Sequence, residues 1–283
     1  MDAAPADSAT QTCYRHPNRV TGVSCSSCGR PICPDCMTAT SVGMRCPECA
    51  RQKTKVRTAG NLHSEPRVTV AIIVLCVVAF LGSGSFGFGG GGGGTLTADF
   101  ALNGPAVALD GQYWRLVTVG FLHANIIHIL FNMYLLWILG NMLESTLGSP
   151  RFAALYFTAL LWGSFGALLV SPLSNTVGAS GAVFGLMGAA AVELRARGIN
   201  PWQTDIGMLI LLNLGISFIL PGISIGGHVG GLIGGALVGL AFGFADRRRS
   251  RVLGYALCAA LAVVAVAAAI GVAGGSGIGI PGQ

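Results

Sequence analysis

Ser180 lies in Val177-Gly178-Ala179-Ser180-Gly181-Ala182-Val183-Phe184-Gly185, and His228 in Gly226-Gly227-His228-Val229-Gly230-Gly231-Leu232-Ile233-Gly234-Gly235. Each stretch opens an apolar segment. A serine hydroxyl is a weak nucleophile until a base takes its proton, and a neutral imidazole is such a base. A second set of residues points to different chemistry. Cys13-x2-His16, Cys25-x2-Cys28, Cys33-x2-Cys36 and Cys46-x2-Cys49 are four ligand pairs. Two-residue spacing lets both members of a pair point at one ion, so the set suffices for two closed tetrahedral zinc sites.

The elements that would position Ser180 and His228 are membrane helices. The chain has 283 residues, of which 52% are hydrophobic and 10% charged, against about 25% charged in a soluble domain. It therefore reads as an all-α polytopic membrane protein with a small polar module. The formal net charge of +6 is modest. Its basic residues sit in the N-terminal region and in short loops, which suits membrane topology and gives no reason to expect nucleic-acid binding. The first apolar run starts only near Val68, so no secretory signal is expected.

Seven spans are predicted. The first is the run Val68–Leu81, extended by the uncharged stretch after it. The others lie near 124–143, 152–171, 179–194, 204–220, 227–245 and 252–273. The expected organisation is a zinc-binding module over 1–50, a basic cytoplasmic tether over 51–66, a transmembrane domain over 67–273 and a short Gly-rich tail over 274–283. Gly89–Gly94 reads as flexible linker. Residues 95–122 read as an outer loop lodged at the interface. Arg51–Arg57, Arg151, Arg195 with Arg197, and Arg247–Arg251 all fall on one side if every segment crosses. The positive-inside rule makes that side cytoplasmic. The N-terminus is then cytoplasmic, the C-terminus extracytoplasmic, and the protein a multi-pass protein of the cell membrane. Ser180 and His228 share the outer depth. Gly181 and Gly185, and Gly227, Gly231, Gly235 and Gly239, recur every fourth residue, a spacing that lets membrane helices approach backbone to backbone.

Seven of the nine cysteines fall before residue 50. A disulfide framework would leave one of those seven unpaired and His16 unexplained. Metal binding would supply the folding energy that about 40 residues cannot draw from a core. The ligand order resembles a B-box-like or RING-like treble of knuckles. In the cross-brace arrangement such modules often use, Cys13, His16, Cys33 and Cys36 share one ion and Cys25, Cys28, Cys46 and Cys49 the other; sequential pairing is the alternative. The module is either a binding site for a cytosolic protein partner or a stable cap.

No carboxylate can orient His228. Asp246 is 18 residues further on, roughly 27 Å along a helix, and Glu193 lies at the far end of its own span. A Ser–His dyad is expected. Acyl transfer also needs donors for the oxyanion. His128 and Asn132, at i and i+4 on the second span, and the Ser180 backbone N–H, at a helix start, are candidates. Asn132 could instead only tie helices together. His123, at the mouth of the same helix, reads as an interfacial side chain.

From Trp114 to Gly239 these residues resemble the rhomboid family of intramembrane serine proteases. The resemblance rests on Trp114-Arg115, His123-x4-His128-x3-Asn132, Glu144-x3-Gly148, Gly178-x-Ser180-Gly181 and His228-x2-Gly231-x3-Gly235. It implies a six-helix core, to which the seventh span is added. It also implies a serine endopeptidase that cleaves transmembrane protein substrates within the lipid bilayer, with its active site opening to the extracytoplasmic side and no catalytic cofactor. Ser180 would be the nucleophile and His228 the general base. His128, Asn132 and the Ser180 amide would form the oxyanion hole. Phe184 occupies the position where the family often has a tyrosine packing on the histidine. The resemblance does not cover the zinc module. The alternatives are a catalytically inactive rhomboid-like protein that binds membrane clients, and a channel or transporter, for which internal charge pairs or an inverted repeat would be expected.

Overall fold

The computed structural model describes residues 11–51, 66–86, 94–220 and 222–275. The tether, most of the six-glycine run and the C-terminal tail lie largely outside the described residues. The chain divides into two units, Met1–Leu62 and His63–Gln283.

The first unit has two antiparallel ribbons. Strand β1 (Gln11–Thr12) pairs with β2 (Val20–Thr21), and β3 (Thr38–Thr40) with β4 (Gly43–Arg45). A short helix, α1 (Pro47–Arg51), follows. Ribbons this short are not stable alone. The buried side chains of this unit are Ile32, six cysteines and Thr21, with Tyr14 and Met37 packed against the cysteine cluster.

The second unit is helical. Helix α2 (Arg67–Ser83) is followed by three short helices, α3 (Thr95–Phe100), α4 (Gly104–Ala108) and α5 (Arg115–Thr118). The bundle continues with α6 (Ile126–Leu147), α7 (Ser149–Val170), α8 (Ser180–Ala196), α9 (Asp205–Ile219), α10 (Ile225–Arg247) and α11 (Arg251–Gly275). Among the described residues, α6, α7, α10 and α11 are long and apolar enough to cross a membrane, and α2 and α9 are shorter apolar helices. This is a multi-pass membrane protein. Turn residues set the helix limits. Gly148 has φ 80°, a conformation costly for other residues, and the helix after it begins at once with Pro150 in its first turn. That is why α7 starts at Ser149 rather than near 152.

Glycine brings α10 close to two neighbours. On one face a Cβ at Gly231 or Gly235 would overlap the carbonyl oxygen of Gly181 or Gly185 on α8. On the other, a Cβ at Gly226 or Gly230 would overlap the carbonyl of Gly166 or Trp162 on α7. With no hydrophobic force between helices in lipid, this close backbone packing is what holds them. Helix α11 lies against α7, where Trp162 Nε1–H donates to the Leu261 carbonyl at 3.1 Å.

The buried carboxylate of Glu144 on α6 accepts the Val68 and Thr69 backbone N–H groups at 2.9 Å, and the Thr69 and Ser149 hydroxyls at 2.8 and 2.6 Å. It thereby occupies the open N-terminus of α2, where N–H groups have no intrahelical acceptor. At the same end of the bundle, Arg151 on α7 and Asp246 on α10 make a two-pronged ion pair at 2.7 and 3.0 Å.

Candidate active site and candidate metal centres

Ser180 is the first residue of α8, and His228 lies in the first turn of α10. The glycine contacts between α8 and α10 start at Gly181, one residue after Ser180, which meets Gly227 and Gly231 on either side of His228, so the packing that joins the helices also aligns the side chains. Ser180 Oγ is 2.8 Å from His228 Nε2. The Phe184 ring stacks on the imidazole, with centroids 4.2 Å apart and planes 22° apart.

His128 and Asn132 lie near the start of α6, which Asn125 caps by accepting the His128 N–H at 2.8 Å. His128 Nδ1 accepts the Ala124 N–H at 3.4 Å. A neutral imidazole that accepts at one nitrogen carries its proton on the other, so Nε2–H is the free donor. That nitrogen faces Ser180 across Gly178: a Cβ at Gly178 would stand 2.8 Å from His128 Nε2 and 3.5 Å from Ser180 Oγ. Gly178 has φ 131°, and both its conformation and this crowding require glycine there. Its N–H donates to the Val119 carbonyl at 2.9 Å. Asn132 is 3% exposed, and one amide N–H donates to the His128 carbonyl at 2.9 Å. Its second N–H remains for another acceptor.

Arg115 is buried and holds the segment before α6. Its guanidinium donates to the Ala98 and Ala101 carbonyls at 2.9 and 2.6 Å and to Gln112 at 2.6 Å. A cavity of about 20 Å³ beside Gly178, Ser180, Gly181 and Ser224 has room for one water molecule. A larger cavity, about 150 Å³, lies at the other end of α8 among Glu193, Arg197 and Asp246. It is far from the Ser–His pair, and its one hydroxyl, on Thr146, has no histidine beside it in the lining. Glu193 there pairs with Arg197 at 2.8 Å.

Two features differ from the expectations. His123 is not interfacial. It is 1% exposed, neither ring nitrogen has a partner, and the ring packs edge-on to His128 at 5.1 Å. The turn Val119–Phe121 ahead of it folds the segment inward, onto the bundle. Second, His228 has a neighbour that sequence reasoning missed. Ser217 on α9 is buried, with Oγ 2.6 Å from His228 Nδ1. The available signal was its position four residues after Asn213, two polar residues on one face of an otherwise apolar helix.

In the first unit, the ligand atoms of Cys13, His16, Cys33 and Cys36 lie within 4.8 Å of one another, as do those of Cys25, Cys28, Cys46 and Cys49. This is the crossed pairing. Both clusters could hold a metal ion. The cysteines are free thiols. The Cys25 thiol is pushed down to about 6, foremost by the Cys46 backbone N–H that donates to it at 3.3 Å. Cys28 is lowered foremost by the Arg30 guanidinium, 3.3 Å away. Thiolates ligate metals and thiols do not, so these neighbours favour the binding form. Around the clusters, Tyr14 and Arg15 both bond to Glu48, and Arg19 pairs with Asp35.

Residues 110–245 match the family model described as Rhomboid domain. The chain is 32% identical over 180 residues to "Rhomboid protease GluP" of Bacillus subtilis, an alignment covering 62% of this chain and 35% of that protein. It is 35% identical over 132 residues to "Rhomboid-like protease 1" of Toxoplasma gondii, covering 44% and 45%. It is 42% identical over 94 residues to "RHOMBOID-like protein 6, mitochondrial" of Arabidopsis thaliana, covering 33% and 31%. The chain thus spans less than half the length of each of these relatives. The matched residues include α5 to α9 and all but the last two residues of α10, and stop before α11.

Proposed function

We propose, on the premise that residues 110–245 are a rhomboid domain, that this chain is an intramembrane serine endopeptidase working through Ser180 and His228 on transmembrane protein substrates. The observation that carries this reading is the 2.8 Å contact between Ser180 Oγ and His228 Nε2 at the N-terminal ends of α8 and α10. Ser180 Oγ attacks the scissile carbonyl while its proton passes to Nε2. Negative charge develops on the carbonyl oxygen, where preorganised donors are worth most. His128 Nε2–H, the second Asn132 amide N–H and the Ser180 N–H are the donors. Being in the first turn of α8, that last N–H has no intrahelical acceptor. The imidazolium then protonates the leaving amine. Water deprotonated by His228 attacks the acyl-enzyme, and the proton returns to Ser180. Stacked Phe184 limits rotation of the imidazole.

The basic residues support an orientation with the active site opening to the extracytoplasmic side and the metal module in the cytoplasm. Arg151, Arg195, Arg197 and Arg247 cluster at the helix ends remote from Ser180. A reducing cytosol also suits free thiols.

For the module, the reading is two structural zinc ions. A tetrahedral site with Zn–S near 2.3 Å has S–S edges of about 3.8 Å and S–N edges of about 3.6 Å. The Cys28–Cys46 sulfur separation is 3.8 Å, and His16 Nδ1 lies 3.8, 3.3 and 3.5 Å from the sulfurs of Cys13, Cys33 and Cys36. Three thiolates in one cluster and four in the other more than neutralise the cation, and the four ligands of each site together exclude water from it.

A fluorophosphonate probe tests the enzymatic reading. The purified protein labels at Ser180, and His228→Ala suppresses labelling. A folded wild-type protein that does not label would favour an inactive client-binding protein instead.

A further inference from the structure

His228 makes two polar contacts, and the second decides which nitrogen can act as a base. Ser217 Oγ lies 2.6 Å from His228 Nδ1 and also 2.6 Å from the Asn213 carbonyl oxygen. A serine hydroxyl has one proton. Two oxygens at 2.6 Å with no proton between them repel, and the carbonyl can only accept. The Ser217 proton is therefore committed to Asn213, and Ser217 Oγ is left facing His228 with lone pairs alone. Nδ1 must then be the donor. A neutral imidazole with its proton on Nδ1 has a bare lone pair on Nε2, the atom 2.8 Å from Ser180 Oγ.

We infer that Ser217 is the positioning residue of this site, an uncharged third member that holds His228 in the Nδ1–H tautomer through the chain Asn213 carbonyl, Ser217 hydroxyl, His228, Ser180. The inference deepens the peptidase reading and rests on it for its catalytic meaning. When Ser180 gives its proton to Nε2, the imidazolium keeps its Nδ1–H on Ser217 Oγ, so no other proton moves. The arrangement fills the place a carboxylate takes in a triad without burying a charge, which at this depth of a membrane would be costly. It also ties α9 to the pair. Ser217 is on the last turn of α9 and His228 on the first turn of α10, so a movement of α9 away from α10 would release the histidine from its tautomer.

The test is ¹⁵N NMR of histidine-labelled full-length protein in bilayers, with fluorophosphonate labelling of the same samples. In the wild type, His228 should show a protonated Nδ1 and an unprotonated Nε2. Ser217→Ala should raise the Nε2–H population and slow labelling about ten-fold, the scale of one net hydrogen bond. Ser217→Thr, which can bond back to the same carbonyl, should restore both. Ser217→Cys keeps the shape with weak hydrogen bonding and should behave like Ser217→Ala, which covers the case in which the alanine variant does not fold. Nε2–H in a wild type that labels, or an unchanged tautomer in a folded Ser217→Ala or Ser217→Cys, would overturn the positioning role while leaving the peptidase reading intact. A wild type that shows Nδ1–H but never labels would overturn the peptidase reading and uphold the tautomer assignment.

Discussion

In the N-terminal unit most of the buried side chains are the candidate ligands themselves: Cys13, Cys25, Cys33, Cys36, Cys46 and Cys49, with Ile32 the main apolar residue among them. Around Ser180 the buried surface is backbone, bared by Gly181 and Gly185 against Gly231 and Gly235. One unit gathers its reactive atoms into two clusters that could each hold a cation, the other brings them together by removing side chains. The difference shows in what each tolerates. A Cβ at Gly22 of the first unit would meet nothing within 4 Å, whereas one at Gly231 would overlap another helix's carbonyl.

The largest effect should come from removing metal. A chelator acting on the full-length protein should abolish the fold of the first unit, since structural zinc in such modules supplies the folding energy. Cys13 to Cys49 should then alkylate rapidly, while fluorophosphonate labelling at Ser180 continues at its former rate. Metal analysis of the untreated protein should give two zinc ions; one or none would show that the first unit is not built around two ions.

Next is Gly231→Val. The added carbons must separate α10 from α8 beside Ser180 and break the 2.8 Å contact. Overpacking of a close-packed core costs about 1–3 kcal/mol, and here it falls on the joint that aligns the pair. Labelling should be lost and melting temperature lowered. Labelling at the wild-type rate would show that the glycine row does not position Ser180.

Asn132→Ala should lower kcat by about 10²–10³, the loss of one oxyanion donor, with little change in KM. Because Asn132 also holds the His128 carbonyl, melting temperature must be read on the same sample. A normal kcat with a lowered melting temperature would make it a helix tie. The smallest effect is expected of Phe184→Leu. An aromatic pair contributes about 0.5–1.5 kcal/mol beyond its area, so labelling should slow about two- to ten-fold, read as the labelling rate constant.

The helices were legible because each is an apolar run ended by charge, glycine or, after α7 and α9, a proline two residues on, and the observed limits differ from the expected ones by a few residues. The eight candidate ligands were legible from their x2 spacing, but spacing left crossed and sequential grouping both open, and only the structure brings Cys13 and His16 to Cys33 and Cys36. Ser180 and His228 could be assigned a common depth from topology, and their side chains do meet. Ser217 was not legible as a partner of His228, because a serine on an apolar helix ordinarily bonds only to the carbonyl four residues back, and Ser217 does that as well. The second face of α10 was hidden for a similar reason. Gly226, Gly230 and Gly234 interleave with the row that faces α8, and only the packing shows that they meet α7. His123 was misplaced because a histidine at a helix mouth is usually wet, whereas the turn at Val119–Phe121 carries this one inside.

The most direct measurement is cleavage of a transmembrane protein substrate by purified full-length protein reconstituted in bilayers, wild type against Ser180→Ala. The wild type should cleave, and a Ser180→Ala protein that remains folded in the membrane with an unchanged melting temperature should not. Retained cleavage by purified Ser180→Ala would contradict it.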